Sequence, residues 1–514
     1  MTERFKTKPR DHQLEGIRLV DGRTAFAYLA EMGTGKSWML INDVASLWGE
    51  GRVNGLLIFA VNGGQWTWTL NELPAHMPDW VRWRSAAWSA HQTKKTAHAL
   101  NSILTGDDST ELRVLVMNHE ALQTKRGLEF AQRFATSVIK LMIAVDESSG
   151  FKNPQAVRTK ALFSLKPFST YRRILDGFAI NNGPFDAFAQ FSFLDETILR
   201  TTSYFAFKAE YAEMLSPTNA LVQSVKRRSG SRGTPQIVAR APDGKPRYKN
   251  LDKLNALIAP HSFRVLKADC LDLPEKVYTQ TYFELEPQQR KVYDLMEDQA
   301  RMIIENGEET PVARLAALMK LSQINSGFII SPITREPMPI EGENPKLSLL
   351  ESRLETLIEG GQRIIVWARF REELKQIAAL AARRGWSIVQ YHGDTPRDER
   401  IEGITKFQAG EANIFLAQQQ VGATTITLTA ATHVIYYSNT FSARDRWQSE
   451  DRAHRIGQRN VVTYEDLIAL KTIDAKIVSV LRSKRDCAEL VMGDRKDLFS
   501  GAIPASLEAP TQGE

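Results

Sequence analysis

Residues 30–37 read AEMGTGKS, with Tyr28-Leu29-Ala30 closing a short apolar run behind them and residues 38–47 ahead suiting a helix. A strand that turns through glycines into a helix brings backbone N–H groups against phosphate oxygens, with the positive helix end behind them. In that setting Lys36 is placed to contact the β- and γ-phosphates of a nucleotide and Ser37 to hold Mg²⁺, while Met32, Gly33, Thr34 and Gly35 line the phosphates. Ala30 stands where the broad phosphate-loop pattern has its first glycine. A chance Gly-Lys-Ser turn is the competing account, but it explains neither the strand before nor the helix after.

Outward from this loop, residues 141–145 (LMIAV) form another buried-type run, which delivers Asp146 and Glu147 to a strand end. Asp146 suits Mg²⁺, directly or through water, and Glu147 suits orienting or deprotonating the attacking water. Such a pair is also an ordinary strand-end turn, and Lys36 upstream is what favours the chemical reading. Far downstream, residues 448–458 read QSEDRAHRIGQ. Arg452 and Arg455 lie three apart, hence on one helical face, where they can neutralise charge on a transferring phosphoryl group. Gln448 precedes Arg452 by one turn and can position the water or the γ-phosphate; the bland alternative for the arginines is surface pairing with Glu450 and Asp451. A phosphate-holding lysine, a carboxylate pair and remote arginines are the minimum parts of a nucleotide-driven motor.

Short apolar runs rich in β-branched residues recur at 56–61, 114–117, 141–145 and 173–175, and again at 364–367, 388–391, 414–417 and 434–437. Alternation of such runs with helical stretches predicts an α/β fold with parallel sheets flanked by helices, in two lobes. The chemical residues follow the carboxyl ends of these strands, where doubly wound sheets bind ligands. The expected boundaries are 1–198 for an ATP-binding lobe, 199–346 for a helical insertion with linker, 347–498 for a second lobe and 499–514 for a disordered tail. Within the insertion, residues 288–306 and 311–326 read as amphipathic helices, and 331–345, with four prolines, as a loop or small hairpin.

A chain of 514 residues is too long for one hydrophobic core. No stretch approaches the roughly 20 apolar residues that span a bilayer, and the polar start MTERFKTKPR lacks the apolar centre of a signal peptide. A cytoplasmic location and no membrane partner are therefore expected. Cys270 and Cys487 have no partners at metal-ligand spacing and read as packing residues. The net charge of +6 favours a polyanionic partner. Lys226, Arg227, Arg228, Arg232, Arg240, Lys245, Arg247 and Lys249 fall in one stretch relieved only by Asp243 and broken by glycines and prolines. It reads as a mobile basic loop that neutralises phosphates, with Lys226, Arg227, Arg228 and Arg232 as DNA-binding candidates; a solvated insertion without a ligand is the alternative.

The series AEMGTGKS, VDESSGFKNP (residues 145–154) and QSEDRAHRIGQ, in this order over the chain, resembles the Swi/Snf-type family of superfamily 2 helicase-like ATPases. The likeness runs from about Pro9 to about Lys484 and is closer to short phage or bacterial members than to long chromatin remodellers. The resemblance implies two RecA-like lobes with a helical insertion, ATP and Mg²⁺ as cofactors, and a DNA partner, double-stranded. The implied host is a prokaryotic or phage-infected cell. It further implies that Gln13, in KPRDHQ, reads adenine. By the same resemblance the DNA backbone is touched by residues 62–65, 118–120, 367–370 and 391–395, which include Arg369, His392, Gly393 and Thr395. Residues 264–269 (RVLKAD) resemble the family's basic segment before a Leu-Pro-Glu-Lys element at 273–276. Of five tryptophans at 66, 68, 80, 83 and 88, stacking on bases is one reading and buried packing the favoured one.

Two places depart from the family pattern. Asp176-Gly177-Phe178-Ala179 stands where Thr-Gly-Thr-Pro is usual, and residues 422–426 (GATTI) replace a Gly-Gly-x-Gly-Leu element. Both changes leave ATP binding intact and put in question the coupling of hydrolysis to DNA movement. The expected function is a DNA-dependent ATPase that steps along duplex DNA. The alternatives are a nucleotide-gated DNA-binding protein with weak turnover, a strand-separating helicase and the motor subunit of a restriction system.

Overall fold

The structure, a computed structural model, describes residues 4–90, 92–106, 110–229, 233–242, 245–305, 311–419 and 426–492. Residues 422–425 of the altered glycine element, Arg232 and the tail at 499–514 lie outside the described residues, as does the side chain of Arg228. The chain divides into two compact units, one of residues 1–30, 36–265 and 483–514, the other of 31–35 and 266–482. Residues 199–346 are thus shared between the two units rather than set apart as a third body.

The first unit is built on seven strands: β1 Ala25–Ala30, β2 Gly55–Ala60, β3 Trp83–Ala87, β4 Leu112–Asn118, β5 Leu141–Asp146, β6 Ser169–Leu175 and β7 Ser262–Val265. All pair in parallel in the order β3-β4-β2-β5-β6-β1-β7. Helices cover the sheet, so the central strands are buried along their whole length. This is why they appear in the sequence as continuous apolar runs rather than alternating ones. The strand order brings the carboxyl ends of β1, β5 and β6 side by side. The phosphate loop, Asp146 and Asp176 therefore emerge at one edge of the sheet.

The second unit contains β8 Lys276–Phe283, a hairpin of β9 Phe328–Ile330 with β10 Pro337–Pro339, then β11 Ile364–Ala368, β12 Ile388–Tyr391, β13 Ile414–Gln418, β14 His433–Tyr436 and β15 Val462–Ala469. Six of these form a parallel sheet in the order β12-β13-β11-β14-β15-β8. The helices Pro287–Glu305 and Pro311–Asn325 lie within one residue of their sequence expectation. Among the described residues no helix is long and apolar enough to cross a membrane.

The described parts of the basic stretch carry a helix and backbone pairing where a mobile loop was expected from its glycines and prolines. Lys226 and Arg227 lie on the helix Ala220–Ser229. Antiparallel bridges join Ala212 to Tyr248, Met214 to Val238 and Arg240 to Pro246. Backbone bonds such as Ala239 N–H to the Glu213 carbonyl, 2.8 Å, and Arg247 N–H to the Ala239 carbonyl, 2.9 Å, close a small three-stranded ladder. Tyr248 anchors it to the segment after β6: its ring stands edge-on to Phe185 at 5.8 Å and its hydroxyl donates to the Asn182 carbonyl at 3.3 Å.

Candidate nucleotide site and arginine turn

The turn after β1 needs left-handed backbone at Gly33 (φ 81°) and Gly35 (φ 92°), which glycine adopts without a Cβ penalty. The Thr34 hydroxyl donates to the Glu31 carbonyl at 2.7 Å and closes the turn. The helix Lys36–Gly49 then begins on Lys36 itself. Lys36 is buried, and its ammonium donates to the Ala30 carbonyl at 2.7 Å, so the amine is held across the loop rather than extended into solvent.

Asp146 closes β5 beside this lysine. Burial first, and then the negative charge of Glu147, push its carboxyl up to about 7; Asp176 adds repulsion, while the Trp68 indole and Lys36 oppose the rise. Such a carboxylate is short of positive charge, and its oxygens, like the Ser37 hydroxyl, are donors of the kind that Mg²⁺ prefers. The residues present therefore fit a nucleotide-bound magnesium ion. Glu147 carries φ 52° and ψ 53°, an uncommon left-handed conformation for a residue with a Cβ. Its amide donates to Asp146 Oδ1 at 3.0 Å, and the next turn closes with Gly150 N–H on the Glu147 carbonyl at 3.0 Å.

Two supports of this turn have no motif in the sequence. The Trp68 indole N–H donates to Asp146 Oδ2 at 2.9 Å from a π-helical turn, Trp68–Glu72, inside the helical segment 64–76. The packing role expected for Trp68 is thus joined by a direct bond to the carboxylate. Trp88 packs on Phe130 at 5.0 Å, whereas Trp80 is exposed against Trp48. His119, expected to face DNA, is instead buried: Nε2 meets the Asp146 carbonyl at 2.9 Å and the ring packs on Phe151 at 4.6 Å.

Asp176, one of the departures, is a structural joint. It is buried, and its two carboxylate oxygens accept from Ser149 N–H and Phe178 N–H, each at 2.7 Å. Ser148 donates to Gln190 at 2.6 Å, and Gln190 donates to the carbonyls of Ala179 and Asp186 at 2.6 and 2.7 Å. Asp186 receives the N–H groups of Asn181 and Asn182 at 2.9 and 2.8 Å. The segment after Glu147, the altered residues 176–179 and the turn that follows them to Asp186 are therefore one hydrogen-bonded assembly. Gln13 is buried, and its amide oxygen accepts from Arg10 N–H at 2.9 Å, so half of the group expected to read adenine already closes a helix start.

In the second unit, Gln448, Arg452 and the preceding acidic pair lie on the helix Ala443–Ala453 and are buried. Glu450 and Asp451 are not surface partners. Glu450 is bound by Arg446 at 3.0 Å and Tyr278 at 2.8 Å, and Asp451 by Lys267 at 2.8 Å and Lys276 at 3.4 Å. Arg452 and Arg455 both reach the Ile426 carbonyl, at 3.5 and 3.3 Å, which is the described end of the altered glycine element. Gln458 Nε2 donates to the carbonyls of Thr429, Ala431 and Ala453 and fixes the chain after the turn.

Of the nucleic-acid candidates on this unit, Arg369 lies over Phe441 at 4.3 Å, and burial draws its guanidinium below its usual range. Thr395 is buried and its hydroxyl accepts from His392 N–H at 3.3 Å, closing their shared turn, while Gly393 is exposed between them.

Residues 30–327 match the SNF2-related domain and residues 346–457 the helicase conserved C-terminal domain. The zebrafish Chromodomain-helicase-DNA-binding protein 1-like is 24% identical over 359 residues, 68% of this chain and 32% of that protein. The Schizosaccharomyces pombe chromatin structure-remodeling complex subunit snf21 is 24% identical over 501 residues, 93% of this chain and 39% of that one. The mouse SWI/SNF-related matrix-associated actin-dependent regulator of chromatin subfamily A member 1 is 29% identical over 243 residues, 45% and 23% respectively. The chain thus spans less than two-fifths of the length of these curated relatives, and they lend no support to a phage or bacterial type. The solved Sulfolobus solfataricus SWI2/SNF2 ATPase core in complex with dsDNA is 22% identical, with 98% of this chain and 97% of that one covered and a TM-score of 0.39. With the SNF2-related match extending over more than half of its length, the chain belongs to the SNF2-related family.

Proposed function

We propose that this chain is a DNA-dependent ATPase that hydrolyses ATP to ADP and phosphate and uses the cycle to move along duplex DNA. The observation that carries the reading is the burial of Asp146 at one sheet edge with Glu147, Asp176 and Lys36 around it: burial first, and then the Glu147 charge, raise its carboxyl to about 7 against the pull of Lys36. A site of this charge pattern is relieved by a divalent cation and completed by a polyphosphate. Lys36 and the loop amides would bind the β- and γ-phosphates, and Ser37 and Asp146 would hold Mg²⁺, which supplies charge neutralisation on the phosphate oxygens. Glu147 would take the proton of the attacking water, held in its left-handed turn by Gly150 and the Ser148–Gln190 bond. Arg452 and Arg455 would neutralise charge on the transferring group, with Gln448 as the positioning amide.

Duplex DNA as the partner is supported by the basic residues at 226–249 and by the name of the zebrafish relative, which calls that protein DNA-binding. Asp176 favours coupling over a silent clamp, because its carboxylate joins the catalytic turn to residues 176–178 through two backbone bonds. Steady-state ATP hydrolysis with no DNA, single-stranded DNA and duplex DNA tests the reading, with Lys36→Ala as the blank. Stimulation by duplex is expected. A single-strand preference would favour a strand-separating helicase, and tight binding of ATP and DNA with no turnover above the blank would leave the nucleotide-gated clamp.

A further inference from the structure

The second unit contains a buried lysine with no role in the reading above. The Lys267 ammonium is almost wholly enclosed, with 5% of its side chain exposed, and lies 2.8 Å from Asp451 Oδ1 and 2.9 Å from the His454 carbonyl. Burying an ammonium is costly unless it is paired and hydrogen-bonded, and both of its acceptors belong to one short segment. Asp451 precedes Arg452, and His454 stands between Arg452 and Arg455. His454 also ends the helix Ala443–Ala453, with φ −99° and ψ 81°. Carbonyls at a helix end lack intrahelical donors, and a cation there satisfies them and complements the helix dipole.

The geometry points to Lys267 as the positioning residue of the arginine turn: one ammonium ties the last helical turn to the carbonyl that sets the exit direction of Arg455. This rests on the reading that Arg452 and Arg455 act on the transferring phosphoryl group. Charge compensation alone does not account for Lys267. Lys276 reaches the same Asp451 oxygen at 3.4 Å, and also Glu450 at 3.7 Å, so the carboxylate keeps a cation if Lys267 is removed. What Lys267 supplies and Lys276 does not is the link from that carboxylate to the His454 carbonyl. The His454 ring is held separately, its Nε2 meeting the Pro274 carbonyl at 2.7 Å, which leaves the turn's own carbonyl to the lysine.

The test compares kcat and KM for ATP in Lys267→Met, Lys276→Met and Arg455→Ala, at saturating duplex DNA, alongside thermal unfolding of each. Misplacing a group by about 1 Å costs on the order of 10²-fold in rate. Lys267→Met is expected to lose kcat on that order with KM within about threefold, while Lys276→Met, which keeps the carbonyl link, stays within about threefold of wild type in both. Equal losses in the two lysine variants would overturn the positioning role in favour of plain charge compensation. Wild-type kcat in Lys267→Met together with a collapsed Arg455→Ala would overturn the proposal and leave the arginine reading standing. Full turnover in Arg455→Ala would sink that reading itself. If Lys267→Met does not fold, Lys267→Leu, which likewise offers no donor to the His454 carbonyl, takes its place, and unchanged kcat in that variant overturns the proposal equally.

Discussion

Glu147 holds a left-handed backbone at φ 52°, which for a residue with a Cβ costs on the order of 1 kcal/mol. Its neighbours keep it there: the Asp146 carboxylate accepts its amide and Gly150 donates to its carbonyl. Two substitutions separate the strain from the chemistry. Glu147→Gln should lower kcat by at least about 10²-fold with ATP affinity little changed, measured by turnover and by nucleotide titration. Glu147→Gly should abolish turnover as well and yet raise the unfolding midpoint, by the equivalent of about 0.5–1 kcal/mol; a lowered midpoint would show that the Glu147 side chain, not the turn, dominates local stability. Lys36, Asp146, Glu147 and the 448–458 arginines were legible as candidates because each sits in a short motif. Trp68 was not, since its bond to Asp146 spans 78 residues and leaves from a π-helical turn. Nor was Lys267, whose acceptors at Asp451 and His454 lie far along the chain, the second of them 187 positions on.

At the scale of elements, the sequence revealed strands wherever burial on both faces wrote an uninterrupted apolar run, as in β2, β5, β11 and β13. It concealed β15, VTYEDLIA, because Glu465 and Asp466 interrupt the run. Both are buried, and both are compensated from other elements: Glu465 by Arg353, through bonds of 2.9 and 3.0 Å, and by His433 at 2.8 Å, and Asp466 by Arg446. β8, KVYTQTYF, was concealed for the opposite reason, since an edge strand needs few apolar residues. Burial tends to raise the Glu465 carboxyl, but bonds from His433, Arg353 and Thr281 outweigh it and bring it down to about 2. A depressed carboxyl contributes stability above its unfolded pKa and loses it as pH falls toward the folded one. The contribution, roughly 3 kcal/mol, should therefore be complete above about pH 4.5 and fade toward pH 2. Urea unfolding at about pH 5 and about pH 3 should show this loss in the wild type and a smaller one in Glu465→Gln. In the first unit, Arg173 and Asp43 form a buried pair at 2.7 Å, with Tyr28 donating to the same carboxylate at 3.1 Å. Arg173→Met leaves that charge uncompensated and should cost about 3–5 kcal/mol in chemical denaturation, with Asp43→Asn added to it recovering part.

At the scale of the molecule, two parallel sheets in two units were foreseen from the recurrence of apolar runs, but the arginine turn of the second unit lies against residues 426–431, ahead of β14, and not at a strand carboxyl end. The sharing of residues 199–346 between the units was not foreseen, because a composition shift marks where helices begin but not which core they pack on. The basic helix Ala220–Ser229 makes a prediction at this scale. Replacing Lys226 and Arg227 with glutamine should weaken duplex binding uniformly across sequences. It should also flatten the dependence of log affinity on log salt by about 0.9 for each phosphate that is no longer neutralised, read by titration at several salt concentrations. An unchanged slope would return these basic residues to the status of a solvated insertion. The topology has a further consequence, in the order of synthesis. β8 is made early but its partner β15 comes last, with Lys276 waiting for Val462 and Phe283 for Ala469. The first sheet has all seven strands once residue 265 has left the ribosome, whereas the second sheet cannot be finished until nearly the whole chain has emerged. Until then β8 is an unpaired strand carrying Val277, Tyr278 and Tyr282, three side chains that remain exposed even in the finished fold. A nascent chain stalled between these two points would hold a folded first sheet and a sticky edge strand, and would be the stage at which chaperones and proteases find it.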